Sequence, residues 1–172
     1  MQKVNIPTTI DPVRAAQKRL SYDGIVPVQE LSRLSELFVE ADGDIKVKVN
    51  CNIDEQGLVV ISGEASYSGN VLCQRCNEKM KQDLATNFFY TPLTQRTEEE
   101  QIPEEYETFA LDDAGEMMLR QVIEDELIIA LPIVPMHDPE SCAYQGTMSW
   151  GKLPEAAEKP NPFDVLKELK RK

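Results

Sequence analysis

The sequence is poor in the residues that most catalytic sites need. It has one histidine, His137, and four cysteines, and its eight glycines are scattered along the chain. A single histidine leaves little for imidazole acid-base chemistry, and the glycines form neither a phosphate-binding loop nor a dinucleotide fingerprint. No catalytic residue is therefore predicted, and the sequence indicates a protein that is not an enzyme.

Long hydrophobic runs are also missing. The longest apolar stretch, residues 127–136, is interrupted by Pro132 and Pro135 and falls short of the roughly 20 residues that a membrane span needs. The first 20 residues contain no apolar run typical of a secretory signal. We therefore expect a cytoplasmic protein with no membrane role. In that reducing compartment the four cysteines are not expected to form disulfides.

Positive charge is scarce, since the formal net charge is -12. Residues 98–126 contain twelve acids and one base, and such a segment repels the phosphate backbone of nucleic acids. It favours a basic protein partner instead, although a charge run can also be only a solvated loop. The glutamates predicted to bind that partner are Glu98, Glu99, Glu100, Glu104, Glu105 and Glu107.

The two ends of the chain are basic. Near the N-terminus the bases are Lys3, Arg14, Lys18 and Arg19, and near the C-terminus they are Lys167, Lys170, Arg171 and Lys172. The C-terminal four could contact RNA directly, but so few phosphate contacts would bind weakly and with a steep salt dependence. Alternatively, they only complement the dipole of a terminal helix.

The hydrophobic pattern predicts an α+β fold, with an antiparallel β-meander, flanking short helices and an irregular C-terminal arm. Residues 1–136 are expected to form a single α+β domain, and 137–172 an irregular arm with a short terminal helix. Strands are predicted at 45–51 and 58–67, and a turn at 68–70 leads to two more strands within 71–93. Residues 106–113 are a further candidate strand.

Helices are predicted at 11–20, at 28–38 and from Gly115 to Pro132. The first begins with an Asp11 N-cap followed by proline. In the third, Glu124 and Asp125 are expected to lie in solvent. The residues expected to face the core in the second and third helices are Val28, Leu31, Leu34, Leu37, Phe38, Met118, Val122, Leu127 and Ile128.

The sequence "VLCQRC" at 71–76 places Cys73 and Cys76 at the spacing of a zinc knuckle. His137 and Cys142 could fold back onto this pair and complete four ligands, which makes zinc the candidate cofactor. Two other interpretations stay open, cysteines that only pack and a redox couple, although an antiparallel context disfavours the redox couple. Cys51 lies on the apolar face of a strand and is interpreted as a core residue.

Four motifs together resemble the YceD family, the large ribosomal RNA subunit accumulation proteins. These are residues 1–26, "VLCQRC" at 71–76, "IEDELIIALPIVPMHD" at 123–138 and "KPNPFDVLKELKRK" at 159–172. The resemblance runs from end to end and implies a role in the synthesis, processing or stability of the large-subunit ribosomal RNA. It implies no catalytic residues. Relatives with further cysteine pairs strengthen the zinc hypothesis for Cys73, Cys76, His137 and Cys142.

Overall fold

The computed structural model describes residues 5–94 and 102–146. Along the chain, the elements are α1 (Pro12–Gln17), β1 (Ser21–Pro27), a 3₁₀ turn (Val28–Glu30), α2 (Ser32–Ser35), β2 (Asp44–Ile53), β3 (Val59–Leu72), β4 (Lys79–Leu93), β5 (Glu107–Ala110) and α3 (Leu119–Ala130). None of the helices in these two ranges has the length and hydrophobicity needed to cross a membrane. The terminal helix predicted within 162–172 lies outside the described residues.

One sheet contains all five strands in sequence order. β1 to β4 form an antiparallel meander, while β5 pairs with β4 in parallel. The helices cover one face of the sheet, which confirms the predicted α+β class. Strand residues with alternating burial supply the inner face, and they include Ile45, Val47, Val49, Cys51, Ile61, Ala65, Leu84 and Phe88.

β1 was not predicted. Its sequence, "SYDGIVP", contains Asp23, Gly24 and Pro27, which are depleted in strands. It lies at the edge of the sheet, where proline is tolerated because the outer side of the strand makes only an isolated bridge, between Ile25 and Asn5. The edge position explains why weak strand propensity suffices here.

The predicted turn at residues 68–70 is wrong. Ser68, Gly69 and Asn70 continue β3 and pair with Asp83, Gln82 and Lys81 of β4. The chain reverses only after Leu72, so the two cysteines of "CQRC" lie in the β3–β4 hairpin turn itself. Ladder pairing along a 14-residue strand outweighs the local turn preference of the Ser-Gly-Asn sequence.

The helix predicted at 28–38 is much shorter than expected. It consists of the 3₁₀ turn and the four residues of α2, and the Ser35 hydroxyl donates to the Ser32 carbonyl at 2.9 Å. Such local side-chain bonds compete with helix propagation. Leu37 is 44% exposed, so its predicted place in the core is also wrong.

The third helix begins at Leu119, later than predicted, and ends at Ala130 before Pro132 as expected. Its inward face is shifted from the predicted one. Leu119, Ile123 and Leu127 are fully buried, whereas Met118 is 50% exposed. Glu124, expected in solvent, is only 7% exposed, because it binds groups on α2 that are described below.

Candidate metal centre and acidic surface

The β3–β4 hairpin turn places Cys73 and Cys76 side by side. The Cys73 amide donates to the Glu78 carbonyl at 2.9 Å, and the Asn77 amide donates to the Cys73 carbonyl at 2.8 Å. Asn77 adopts a positive φ of 60°, which asparagine tolerates better than most residues. The turn is thus fixed by backbone bonds at both ends, and it presents two sulfur atoms from one loop.

The segment after α3 packs against this turn. The Gln74 amide donates to the Pro135 carbonyl at 2.9 Å, and the His137 amide donates to Cys73 Sγ at 3.4 Å. Further along, the Cys142 amide donates to the Asp138 carbonyl at 3.0 Å, which closes a turn. The structure therefore brings His137 and Cys142 onto the knuckle.

The four candidate ligands form one cluster. One side-chain ligand atom each from Cys73, Cys76, His137 and Cys142 lies within 4.8 Å of all the others, and Cys76 Sγ is 3.3 Å from His137 Nδ1. Zinc bonds of about 2.3 Å to sulfur and 2.0 Å to nitrogen require ligand separations of roughly 3.5–3.8 Å in a tetrahedron. Three thiols and one imidazole at these separations fit a metal such as zinc after a small contraction.

Protonation of the thiols is unequal. Burial alone would raise the pKa of Cys73, but backbone hydrogen bonds, chiefly from Cys76 and His137, outweigh it and lower the pKa to about 5. For Cys76, a backbone bond from Glu78 lowers the pKa, and burial together with the thiols of Cys73 and Cys142 raises it above its usual value overall. Because metals bind thiolates, the cluster holds one ligand already in the binding form.

Asp138 is a site residue that the sequence analysis missed. Its carbonyl accepts the amides of Ser141 and Cys142, both at 3.0 Å, and the Gln145 side chain then donates to the Cys142 carbonyl at 2.8 Å. The Asp138-Pro139 pair is a turn signal that could have indicated how the chain returns Cys142 to the cluster.

Comparison with known proteins gives the same family as the motifs. Residues 61–170 match the family described as "Large ribosomal RNA subunit accumulation protein YceD". A Haemophilus influenzae protein of that name is 43% identical over 174 residues, covering 100% of both chains. This chain belongs to the YceD family. No solved structure shows significant similarity to it.

Only part of the predicted acidic surface can be located in this YceD-family chain. Glu98, Glu99 and Glu100 lie outside the described residues, as do the four C-terminal bases Lys167, Lys170, Arg171 and Lys172. Glu104, Glu105 and Glu107 are exposed. Burial, the hydrogen bond to Glu126 and the nearby Glu107 carboxylate, in that order, raise the pKa of Tyr90.

The last acids of the segment have structural roles instead. Glu124 Oε1 accepts the Leu34 amide at 3.1 Å, and Glu124 Oε2 accepts two guanidinium bonds from Arg33. Glu126 accepts hydrogen bonds from Thr86 and Tyr90. The acidic cluster of the "IEDE" motif therefore ties α3 to α2 and β4, and it does not converge on a metal.

Proposed function

We propose that this chain supports accumulation of the large ribosomal RNA subunit as a non-catalytic acidic protein of the cytoplasm. Its partner is a basic ribosomal protein or a pre-ribosomal particle, so the protein affects the RNA through that partner and does not bind the RNA itself. The observation that carries the proposal is the concentration of twelve acids against one base in residues 98–126, in a chain whose family is named for that RNA. Complementary charge would speed encounter with a basic partner.

The single base of this segment does not pair with its exposed acids. Arg120 donates through Nε to the Ile6 carbonyl at 2.9 Å and also pairs with Glu30. It is thus held against the N-terminal segment, whereas Glu104 and Glu105, which precede β5 in the sequence, are exposed. Residues 102–107, the described part of the segment up to the start of β5, are here called the acidic loop, and their exposed carboxylates are available to a cationic partner.

The metal centre has a supporting role in this proposal. Zinc bound by Cys73, Cys76, His137 and Cys142 would fasten residues 135–142 to the β3–β4 turn. A closed site of four protein ligands is typical of structural zinc, and its binding free energy adds to folding stability. Such a zinc site would fix the path of the chain between α3 and the C-terminal arm.

Direct RNA contact is the alternative function. Among the described bases, Arg14, Lys18 and Arg19 are exposed around α1, although Arg14 also pairs with Asp11 at 3.2 Å. Together with Lys167, Lys170, Arg171 and Lys172 they could form a weak RNA-binding patch. Crosslinked RNA on peptides from these ends would favour this alternative. A ribonuclease is less well supported, because no set of catalytic groups comes together in residues 5–94 and 102–146.

A charge-neutralisation experiment tests the main proposal. The variant E104Q/E105Q removes two charges from the acidic loop, and E36Q/D42N removes two from exposed positions outside residues 98–126. We expect affinity capture at low salt to recover ribosomal proteins with wild type and E36Q/D42N, less with E104Q/E105Q, and least when Glu98, Glu99 and Glu100 are also replaced by glutamine. Capture that is unaffected by all these changes, or large-subunit RNA levels that do not respond to them, would refute the proposal.

A further inference from the structure

A cavity opens on the outer face of the sheet, on the side away from the helices. Its volume is about 390 Å³, and it is lined by Val60, Ser62, Phe89, Glu105 and Tyr106. Ser62 and Phe89 are directly opposite each other on β3 and β4, while Glu105 and Tyr106 belong to the acidic loop. The cavity therefore forms where the acidic loop crosses the sheet, and its volume is in the range of roughly 300–1,000 Å³ found for ligand sites.

Tyr106 places the acidic loop beside the β2–β3 turn. Its amide donates to the Pro103 carbonyl at 3.0 Å, and its side chain lies near the Asp54 carboxylate. Asp54 is itself held in the β2–β3 turn, where it accepts the amides of Gln56 at 2.9 Å and Leu58 at 2.8 Å. One wall of the cavity therefore lies beside a turn that is closed by hydrogen bonds.

The lining combines aromatic rings with negative charge. Phe89 is 49% exposed on a face whose neighbouring residues on β2, such as Lys48 and Asn50, are polar and exposed. The carboxylates of Asp54 and Glu105 are close enough to Tyr106 to raise its pKa, after the larger effect of burial. An aromatic wall beside carboxylates attracts a cation with a flat or apolar body.

We propose that this cavity binds an arginine side chain presented by the basic partner. A guanidinium stacks on aromatic rings, pairs with carboxylates in a planar geometry and is more weakly hydrated than an ammonium group. RNA bases also stack on aromatic rings, but the carboxylates here repel the phosphates that would accompany them. This inference rests on the proposed function and specifies the side chain that the acidic surface recognises.

The test uses the full-length, isotopically labelled protein and a synthetic probe, the peptide acetyl-(Gly-Arg)₄-amide. We expect the peptide to shift the amide resonances of Val60, Ser62, Phe89 and Tyr106, and the same peptide with citrulline in place of arginine to shift none of them. Phe89→Leu keeps an apolar side chain without the ring and should weaken binding about three- to tenfold. E105Q should weaken binding more than E36Q, which removes one charge elsewhere.

Three results would overturn the inference. The first is that F89L and E105Q bind the arginine peptide with the same affinity as E36Q. The cavity proposal would then fail, whereas salt-dependent binding of a basic partner to the acidic loop would remain possible. The second is a uridine decanucleotide shifting the cavity resonances when the arginine peptide does not. The third is a shift of these resonances in the R171Q variant without any peptide, which would show that the protein's own C-terminal arm fills the cavity.

Discussion

Cys76 Sγ lies 3.3 Å from His137 Nδ1, although 61 positions separate the two residues in the chain. A direct contact at this distance is close to the separation of about 3.5 Å that two ligands of one tetrahedral zinc would have. The backbone supports the same arrangement, since the His137 amide also donates to Cys73 Sγ. The segment after α3 is therefore attached to the hairpin turn by side chains and main chain together.

Loss of any zinc ligand should remove the metal. We expect protein purified without chelator to contain about one zinc per chain and Cys73→Ser and Cys142→Ser to contain none, as measured by metal mass spectrometry. Chelation should lower the thermal midpoint of wild type and leave both variants unchanged, because only the wild type has metal-dependent stability.

Cys51→Ala is the matched control for these two variants. Cys51 is buried in β2 and lies outside the four-residue cluster, so its removal should leave the zinc content unchanged. A metal-free wild-type protein, or a C73S variant that retains zinc, would contradict the assignment and favour cysteines that only pack.

The sequence could predict which residues form the candidate metal cluster because zinc ligands are chemically distinctive. Cys73 and Cys76 have knuckle spacing, and His137 with Cys142 supplies the remaining suitable donors. The hairpin turn and the Asp138 turn that bring them together depend on pairing between distant segments, which local propensity does not encode. The cavity at Phe89 and Tyr106 was missed for the same reason.

The burial of Glu124 shows a second limit. Helical periodicity placed this carboxylate in solvent, yet it accepts the Leu34 amide and the Arg33 guanidinium. The burial of a polar helix residue can be predicted from sequence only when its hydrogen-bond partners are known. For Glu124, the Leu34 amide lies 90 positions away in the chain. By contrast, the start of α1 was predicted correctly, because its Asp11 cap and Pro12 are adjacent in sequence, although the helix ends at Gln17 and not at residue 20.

Truncation of Glu124 should be strongly destabilising. Glu124→Ala leaves the buried Leu34 amide without an acceptor, and we expect a loss of about 2–3 kcal/mol in the free energy of unfolding, measured by urea denaturation. Asp125→Ala removes the partly exposed pair with Arg33 and should cost less than about 1 kcal/mol. Equal losses in the two variants would show that the Leu34 bond contributes nothing beyond the surface pair.

Alkaline pH should destabilise the protein partly through Cys51. Burial raises the pKa of this thiol from 9.0 to about 11. The unfolded chain therefore releases the proton at lower pH than the native protein, and stability present below pH 9 is lost as the pH rises toward 11. Cys51→Ala should reduce that loss by on the order of 2 kcal/mol.

The measurement for Cys51 is urea unfolding at a series of pH values from 8 to 11. Any cavity created by alanine lowers stability at every pH, so the informative quantity is the slope of unfolding free energy against pH. Parallel profiles for wild type and Cys51→Ala would show that the thiol does not contribute to the alkaline loss.

The Phe88 ring lies so close to the β3 backbone that Gly63 should not tolerate replacement by a residue with a side chain. A Cβ at this position would lie 2.3 Å from Phe88 Cζ and 2.9 Å from the Lys48 carbonyl oxygen. Phe88 is 3% exposed and cannot swing into solvent. We expect Gly63→Ala to cost about 1–3 kcal/mol by urea denaturation, whereas Ser66→Ala on the same strand should change stability by less than about 0.5 kcal/mol.

Combining Gly63→Ala with Phe88→Leu separates the two contacts. The smaller side chain removes the ring clash, so the double variant should be less destabilised than the sum of the single variants, with a coupling of about 0.5–3 kcal/mol. Rescue should be incomplete, because the Lys48 carbonyl remains close to the new methyl group. Strict additivity would mean that the β3 backbone moves to accommodate alanine, and that Phe88 does not set the need for glycine at this position.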